Sequence, residues 1–125
     1  MREGGGAAHA AGSGWGRIIN IGGLSGRLAG NISGLRNAAI VRLTKTLADQ
    51  LGAHGITVNL VHPGATRTER TDAETERRAS SNAIRRIVDA KEIAQVVTFL
   101  ASTKAANITG VAIDASGGSI PVMFQ

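Results

Sequence analysis

Two glycine-containing segments of this sequence contain side chains that could take part in catalysis. The first, from Gly22 to Gly30, follows a short apolar run and contains the hydroxyl of Ser25. The second contains His62, whose imidazole could relay a proton near neutral pH, directly before Pro63 and Gly64. The sequence has no cysteine, which excludes a thiolate metal site, a cysteine nucleophile and a disulfide framework. Chemistry at either segment would therefore use hydroxyl, imidazole or backbone groups, and we expect no metal.

A phosphate-binding loop and a serine hydrolase are the two simplest interpretations of the first segment. Phosphate-binding loops also follow a strand and precede a helix. Here, however, Gly22, Gly26 and Gly30 recur at every fourth residue, which does not give the G-x-G-x-x-G spacing. Ser25 also lacks the G-x-S-x-G turn that carries the nucleophile of α/β-hydrolases. The glycines are better explained by a loop with unusual backbone angles.

Charge and composition exclude several classes of protein. Apolar residues make up 42% of the chain, and the formal net charge is +5. Six arginines lie between Thr66 and Val88, interleaved with Glu69, Asp72, Glu74 and Glu76. Such mixing is typical of a solvated, ion-paired surface, so we expect no nucleic-acid partner. No apolar run approaches the roughly 18 residues of a membrane span and no signal-peptide stretch opens the chain, so we predict a cytoplasmic location without membrane binding.

Alternating strands and helices would position these residues. Residues 17–21, 56–61 and 111–114 are short apolar runs bounded by glycine or proline, and they predict three strands. Residues 33–52 and 90–102 predict helices. The polar stretch from Thr66 to Arg86 predicts a flap with one or two short helices. Near-continuous apolar strands in this order predict an α/β fold, with parallel strands covered by helices.

The apolar residues of the two predicted helices recur at helical spacing. In the first helix, the stripe consists of Ala39, Leu43, Leu47 and Leu51, widened by Leu35, Ile40 and Ala48. In the second helix, it consists of Ile93, Val96, Val97 and Leu100. We expect both stripes to face the sheet.

Several sequence segments, taken in order, carry a family resemblance. They are GRIINI (16–21), LTKTLA (43–48), GITVN (55–59), VHPGATRT (61–68), EIA (92–94), FLAS (99–102), ITG (108–110) and DASGG (114–118). This ordered set resembles the second half of a short-chain dehydrogenase/reductase. The resemblance implies an incomplete, doubly wound Rossmann-like sheet of three strands, NAD or NADP as the cofactor, and a small carbonyl or alcohol substrate.

The resemblance also implies which residues bind the cofactor. Pro63 and Gly64 would shape the floor of the nicotinamide pocket, and the backbone of Thr66 and the hydroxyl of Thr68 would bind the carboxamide. A corner at the carboxyl end of a parallel strand agrees with where open α/β sheets bind ligands. Asn37 could hydrogen-bond a ribose hydroxyl. An alternative for Thr68 is an N-cap of the flap helix.

The catalytic positions depart from the family pattern. The family's Tyr and Lys positions, four residues apart on one helix, correspond to Ser33 and Asn37, and its strand-end Ser corresponds to Gly22 or Gly23. Ser33, Asn37 and the nearby Ser25 are therefore the catalytic candidates. A serine hydroxyl is a much weaker acid than a phenol, whose pKa is about 10, and Asn37 carries no charge. We therefore expect a catalytically divergent NAD(P)-dependent oxidoreductase.

The first residues of the chain resemble nothing in the family's first half. We expect residues 1–15 to be a flexible Gly/Ala-rich lead-in and residues 16–125 to be the C-terminal half of a truncated dehydrogenase domain, inactive in isolation. The alternative is a non-catalytic α/β binding or oligomerisation module. In that case the helix 33–52 would pair with a second copy, with Ala38 and Ala39 allowing close approach and Leu43 and Leu47 supplying apolar area.

Overall fold

The fold is a parallel sheet with one long helix on each face. The computed structural model describes residues 14–24, 30 and 32–121. The strands are β1 (Gly16–Ile21), β2 (Ile56–Pro63), β3 (Thr66–Arg67), β4 (Val88–Asp89) and β5 (Ala112–Ala115). The α-helices are α1 (Ile32–Leu51), α2 (Ala73–Ala79) and α3 (Ala90–Ala101), and single 3₁₀ turns cover Gly52–His54 and Thr103–Ala105.

The main sheet has the order β1-β2-β5, with both pairs parallel. Gly16 pairs with Ile56 and Ile21 with Val61, while Leu60 pairs with Ala112 on the other side. Among the described residues, β1 and β5 are therefore the two edges of this sheet. The α/β fold with three parallel strands is confirmed, and each predicted strand and long helix lies within one or two residues of its predicted bounds.

The central strand β2 is buried from Ile56 to His62 because helices cover both of its faces. On one face, Ile56 and Val58 pack with Ala48 of α1. On the other face, Val61 packs with Leu100 of α3 and with Ala105. The residues predicted as the stripe of the second helix are confirmed, since Ile93, Val96 and Val97 pack against this second cluster.

The predicted apolar stripe of the first helix is wrong for the N-terminal half of α1. The buried positions of α1 are Gly34, Thr44 and Ala48, whereas Leu35, Ala39 and Leu43 are exposed. Polar Thr44 can be buried because Asn20 Nδ2 donates to its hydroxyl at 3.0 Å and the hydroxyl donates to the carbonyl of Ile40 at 2.8 Å. Small or hydrogen-bonded side chains face the sheet here, so the larger apolar ones point outward.

The flap is more ordered than its composition indicates. The strands β3 and β4 form a separate parallel pair, Thr66 with Val88 and Arg67 with Asp89, that closes the base of the flap. The sequence reading missed these two-residue strands. Between them lies α2, whose N-cap Asp72 accepts from the backbone N–H of Thr75.

Within the described ranges, no helix has the length and apolar character to cross a membrane. The predicted lead-in lies outside the described residues, apart from exposed Gly14 and Trp15.

Candidate functional site

The carboxyl ends of β1 and β2 meet at one edge of the sheet, which is the ligand-binding edge of parallel α/β sheets. The backbone N–H of Gly22 donates to the carbonyl of Val61 at 2.9 Å and extends the ladder one residue beyond β1. His62, 1% exposed, stands next to it on β2. Pro63, the last residue of β2, still pairs with Ala115 of β5, and Gly64 follows the strand.

Two glycines at the end of β1 make room for side chains from neighbouring elements. A methyl group placed on Gly22 would lie 2.8 Å from Nδ1 of His62, and one placed on Gly23 would lie 2.8 Å from Nδ2 of Asn37. His62 of β2 and Asn37 of α1 therefore both lie against this two-residue segment. The end of β1 thus packs against both β2 and the first half of α1.

Ser33 and Asn37, predicted from the resemblance, lie one turn apart on α1, and both are half-buried. Their i,i+4 spacing places them on the same side of the helix. The third catalytic candidate, Ser25, lies outside the described residues. The structure thus brings Asn37 to the strand end, next to the position at which the family carries its serine.

The predicted cofactor-binding corner runs from Pro63 to Thr68. The hydroxyl of Thr66 donates to the carbonyl of Gly64 at 2.9 Å. The hydroxyl oxygen of Thr68 accepts from the backbone N–H of Arg70 at 3.2 Å, and the backbone N–H of Thr68 donates to the Thr71 hydroxyl at 2.8 Å. Thr68 therefore closes a local turn and is exposed. Its interpretation as the N-cap of the flap helix is wrong, because Asp72 holds that position.

Behind the corner lies a scaffold that the sequence reading missed. A methyl group on Gly64 would approach Ser116 Cβ to 2.7 Å, so this turn packs directly on the loop after β5. Buried Asn82 donates from Nδ2 to the carbonyls of Arg86 and Ser116 at 2.8 and 3.3 Å, and its Oδ1 accepts from the N–H of Arg86 at 3.2 Å. The flap is thereby anchored to the corner through Ser116. An asparagine within a polar stretch gives no signal of this role in the sequence.

Ion pairs hold both ends of the flap. Arg67 contacts Glu76 of α2 at 2.5 Å and Asp89 at 2.8 Å, and the hydrogen bonds to Glu76 and then Asp89 raise the pKa of Arg67. Arg86 forms two hydrogen bonds of 2.8 Å to Glu92. The Arg86 side chain, followed by the backbone N–H of Asp89, lowers the pKa of Glu92 to about 2.

The corner carries polar groups that could hold the nicotinamide end of a dinucleotide. Thr68 presents an exposed hydroxyl, which accepts from the N–H of Arg70 and lies 3.5 Å from the hydroxyl oxygen of Thr71, and Thr66 lies half-buried beside Pro63 and Gly64. These groups suit a carboxamide, which both donates and accepts hydrogen bonds. Among the described residues, no three His, Cys, Asp or Glu side chains are grouped so that they could hold a metal ion.

Comparisons with known proteins define the class. The family model described as "Enoyl-(Acyl carrier protein) reductase" matches residues 6–119. The chain therefore belongs to the short-chain dehydrogenase/reductase family, and the three-stranded sheet is Rossmann-like, as in its structural relatives. The resemblance inferred from the sequence is confirmed.

Two relatives illustrate the match. The chain is 41% identical to the 3-oxoacyl-[acyl-carrier-protein] reductase FabG of Pseudomonas aeruginosa, over 83% of this chain and 45% of that protein. It is 38% identical to the acetoacetyl-CoA reductase of Rhizobium meliloti, over 84% of this chain and 47% of that protein. The chain thus spans about half the length of the curated relatives it matches.

Solved structures of reductases also resemble the fold of this chain and cover it to a similar extent. YwfH, an NADPH-dependent reductase involved in bacilysin biosynthesis, superposes with a TM-score of 0.82 at 34% identity, over 91% of this chain and 50% of that structure. A blue fluorescent protein from a metagenomic library, solved in complex with NADPH, gives a TM-score of 0.73 at 31% identity, over 82% of this chain and 44% of that structure.

Proposed function

We propose that this chain forms the nicotinamide-side, C-terminal half of an NAD(P)-dependent oxidoreductase whose catalytic positions have diverged. In the complete protein, the cofactor would be NAD or NADP and the substrate a small carbonyl or alcohol compound. The cytoplasmic location that the sequence predicts is part of the same proposal. The division into a lead-in of residues 1–15 and a half-domain of residues 16–125 also belongs to it.

The observation that carries this proposal is the corner between Pro63 and Thr68. It lies at the carboxyl end of the central parallel strand, where open α/β sheets bind their ligands, and it is rigidly backed by Ser116. In this proposal the backbone of Thr66 and the hydroxyl of Thr68 bind the nicotinamide carboxamide. A bound cofactor would supply the hydride, and the chain's own residues would hold the nicotinamide ring against the end of β1.

Catalytic divergence is supported by the groups at the family's proton-transfer positions. Carbonyl reduction needs a donor that protonates the developing alkoxide, and a neighbour that keeps this donor acidic. Ser33 is too weak an acid for the first role, and neutral Asn37 cannot fulfil the second. We therefore propose that the complete protein binds its cofactor but reduces carbonyl compounds poorly.

An oligomeric role is favoured by the outward face of α1. Ile32 is 80% exposed, Leu35 67% and Leu43 49%, and exposed Ala38 and Ala39 leave space for a close neighbour. An apolar helix face of this kind is typical of a protein interface. We propose that it pairs with a second copy, which is compatible with either a divergent enzyme or a non-catalytic module.

Cofactor binding can be tested with two proteins. The first is the isolated chain, titrated with NADH and NADPH while the nucleotide fluorescence is followed. The second is a chimera in which residues 16–121 replace the matching half of the Rhizobium meliloti acetoacetyl-CoA reductase. We expect no binding above background to the isolated chain, since the dinucleotide would contact only one corner, and saturable binding to the chimera.

A Thr68→Ala substitution in the chimera should weaken this binding about tenfold. Such a factor corresponds to the loss of one hydrogen bond between uncharged groups, at the upper end of the usual energy range of these bonds. Thr98→Ala, an exposed change on α3, is the matched control and should leave the affinity unchanged. A folded chimera that binds neither nucleotide would refute the proposal. Tight binding by the isolated chain would contradict the proposal that the cofactor needs both halves of the domain.

A further inference from the structure

A small, mainly apolar cavity lies between the helix α1 and the edge strand β5. Its volume is about 200 Å³. One side of α1 supplies Val41, Thr44 and Lys45, the middle of β2 supplies Leu60, and residues 110–112 close the cavity at the start of β5. For comparison, an engineered apolar cavity of about 150 Å³ stays dry and binds benzene. This cavity is therefore large enough for a small organic ligand.

Polar groups that border the cavity already have partners within the protein. The hydroxyl of buried Thr44 accepts from Asn20 Nδ2 at 3.0 Å and donates to the carbonyl of Ile40 at 2.8 Å. The backbone N–H of Gly110 donates to the carbonyl of Val58 at 2.8 Å. Because a buried water needs about two to four polar partners, the inner part of the cavity suits an apolar group better than a water molecule.

The charge at the cavity is positive. The ammonium nitrogen of Lys45 stands 3.2 Å from the place where a methyl group on Gly110 would lie, so the absence of a side chain there lets Lys45 reach across from α1. Lys45 also forms an ion pair of 3.4 Å with Asp49, but both side chains are mostly exposed. Such a pair is weak, and an ammonium group has three donors. Among the described residues that line the cavity, Lys45 is the only charged one.

From these observations we infer that the cavity binds a small monocarboxylate, whose short apolar chain enters between Val41 and Leu60 and whose carboxylate contacts Lys45. Removing the chain from water supplies affinity, and a charge-assisted hydrogen bond to the ammonium group selects an anion over a neutral or cationic ligand. The ligand is bound without chemical change, because the lining residues include no nucleophile or general base placed for catalysis. The site is thus a binding site with a defined ligand class.

The monocarboxylate site is separate from the proposed cofactor corner. Leu60 precedes Pro63 by three residues, which is about 10 Å along a strand. The site is also separate from the outward face of α1, since Val41 and Leu43 are two residues apart and therefore point to different sides of the helix. The inference thus goes beyond the proposed function, and neither cofactor binding nor self-association decides it.

The test uses the complete 125-residue chain, labelled with ¹⁵N and titrated with hexanoate at pH 7 while its amide resonances are followed. We expect the backbone amides of residues 110–112 to shift in a saturable way. Hexan-1-ol has the same chain without the charge and should bind about fivefold more weakly, which corresponds to the loss of one charged hydrogen bond to a mostly exposed partner. No saturable shift with hexanoate, or equal affinities for hexanoate and hexan-1-ol, would overturn the inference.

Two variants assign the binding to this cavity. Lys45→Gln removes the charge, so it should weaken hexanoate binding about fivefold and leave hexan-1-ol binding unchanged. Arg36→Gln, an exposed change on the same helix, is the matched control and should alter neither affinity. Val41→Phe fills part of the cavity from its exposed side and should weaken the binding of both ligands while the protein stays folded. An unchanged affinity for hexanoate in either Lys45→Gln or Val41→Phe would contradict the inference.

Discussion

At the residue scale, buried polar groups of this protein are positioned by partners that lie far away in the sequence. Asn59 Nδ2 donates to the carbonyl of Ile108 at 2.8 Å, and its Oδ1 accepts from the N–H of Val111 at 3.3 Å. Asn82 likewise donates to the carbonyl of Ser116, 34 residues away, in addition to its hydrogen bonds with nearby Arg86. Sequence patterns identify polar residues but not their partners, because these hydrogen bonds join segments that are dozens of residues apart. The scaffold of the candidate site was therefore not predictable, whereas its Pro-Gly corner was.

Removing the side chain of Asn82 should destabilise the protein more than removing that of an exposed asparagine. Asn82→Ala leaves the carbonyls of Arg86 and Ser116 and the N–H of Arg86 without their side-chain partner. Burying unsatisfied groups of this kind costs about 1–3 kcal/mol. The free energy of unfolding, measured by urea titration, should fall by that amount, and Asn107→Ala should leave it nearly unchanged. Equal effects of the two substitutions would show that Asn82 does not anchor the flap.

The ion pair at the start of α3 predicts a pH dependence. Hydrogen bonds from Arg86 and from the Asp89 N–H hold the pKa of Glu92 at about 2 in the folded protein, against 4.5 for an unperturbed glutamate. A depressed folded pKa contributes stability above the unfolded value, and this contribution is lost as the pH falls towards the folded value. Glu92→Gln, which can keep the capping hydrogen bond to Asp89, should thus be less stable than the wild type at pH 7.

The difference in unfolding midpoint between wild type and Glu92→Gln should shrink between about pH 4.5 and about pH 2. Glu69→Gln is the matched control, since Glu69 is exposed and forms no ion pair with the residues that the structure describes. A difference that stays constant over this pH range would contradict the charge-assisted role of Glu92.

At the element scale, strand and helix positions follow from hydrophobic patterning, but the rotation of α1 does not. Apolar runs predicted the three main strands because both faces of a parallel sheet are covered. The orientation of α1 is instead set by Thr44, Gly34 and Ala48, which let the helix approach the sheet closely. A pattern of apolar residues favours leucine over threonine as a buried side chain. It therefore predicts that Leu43, and not Thr44, faces the core. The short strands β3 and β4 at the base of the flap are not predicted from the sequence, because two residues give no periodic signal.

The turn after β2 should be intolerant of any side chain at Gly64. A methyl group there would meet Ser116 Cβ at 2.7 Å and its Cα at 3.1 Å, and overpacking of this kind costs about 1–3 kcal/mol. Gly64→Ala should therefore lower the free energy of unfolding. Combined with Ser116→Gly, which removes the closest atom, it should cost less than the sum of the two single changes. Strict additivity in this double-mutant cycle would show that the two positions are not in contact.

At the scale of the whole molecule, the chain presents surfaces that its described residues do not cover. Strand β1 pairs on one side only within the described ranges, and the outward face of α1 carries Ile32, Leu35 and Leu43 in exposed positions. The relatives have about twice the length of this chain. Uncovered strand edges and apolar faces tend to acquire partners, and both features therefore agree with the proposed half-domain.

A charge on the outward face of α1 should reduce self-association. Leu43→Asp introduces a carboxylate at a position that is 49% exposed, so the monomer should keep its fold while a dimer through this face would have to bury the charge. Sedimentation equilibrium should show a lower average mass for Leu43→Asp than for the wild type. Thr98→Asp on α3 is the control and should not change the mass. An unchanged mass in Leu43→Asp would remove this interface.

The central claim is that the cofactor corner is retained while the groups for proton transfer are not. It is tested most directly by the rate of NADH or NADPH oxidation with acetoacetyl-CoA, measured for the chimera with the Rhizobium meliloti reductase. We predict no rate above background for the chimera with the natural residues, and a measurable rate after the combined changes Gly23→Ser, Ser33→Tyr and Asn37→Lys. A chimera that already turns over as fast as this triple variant would contradict the account.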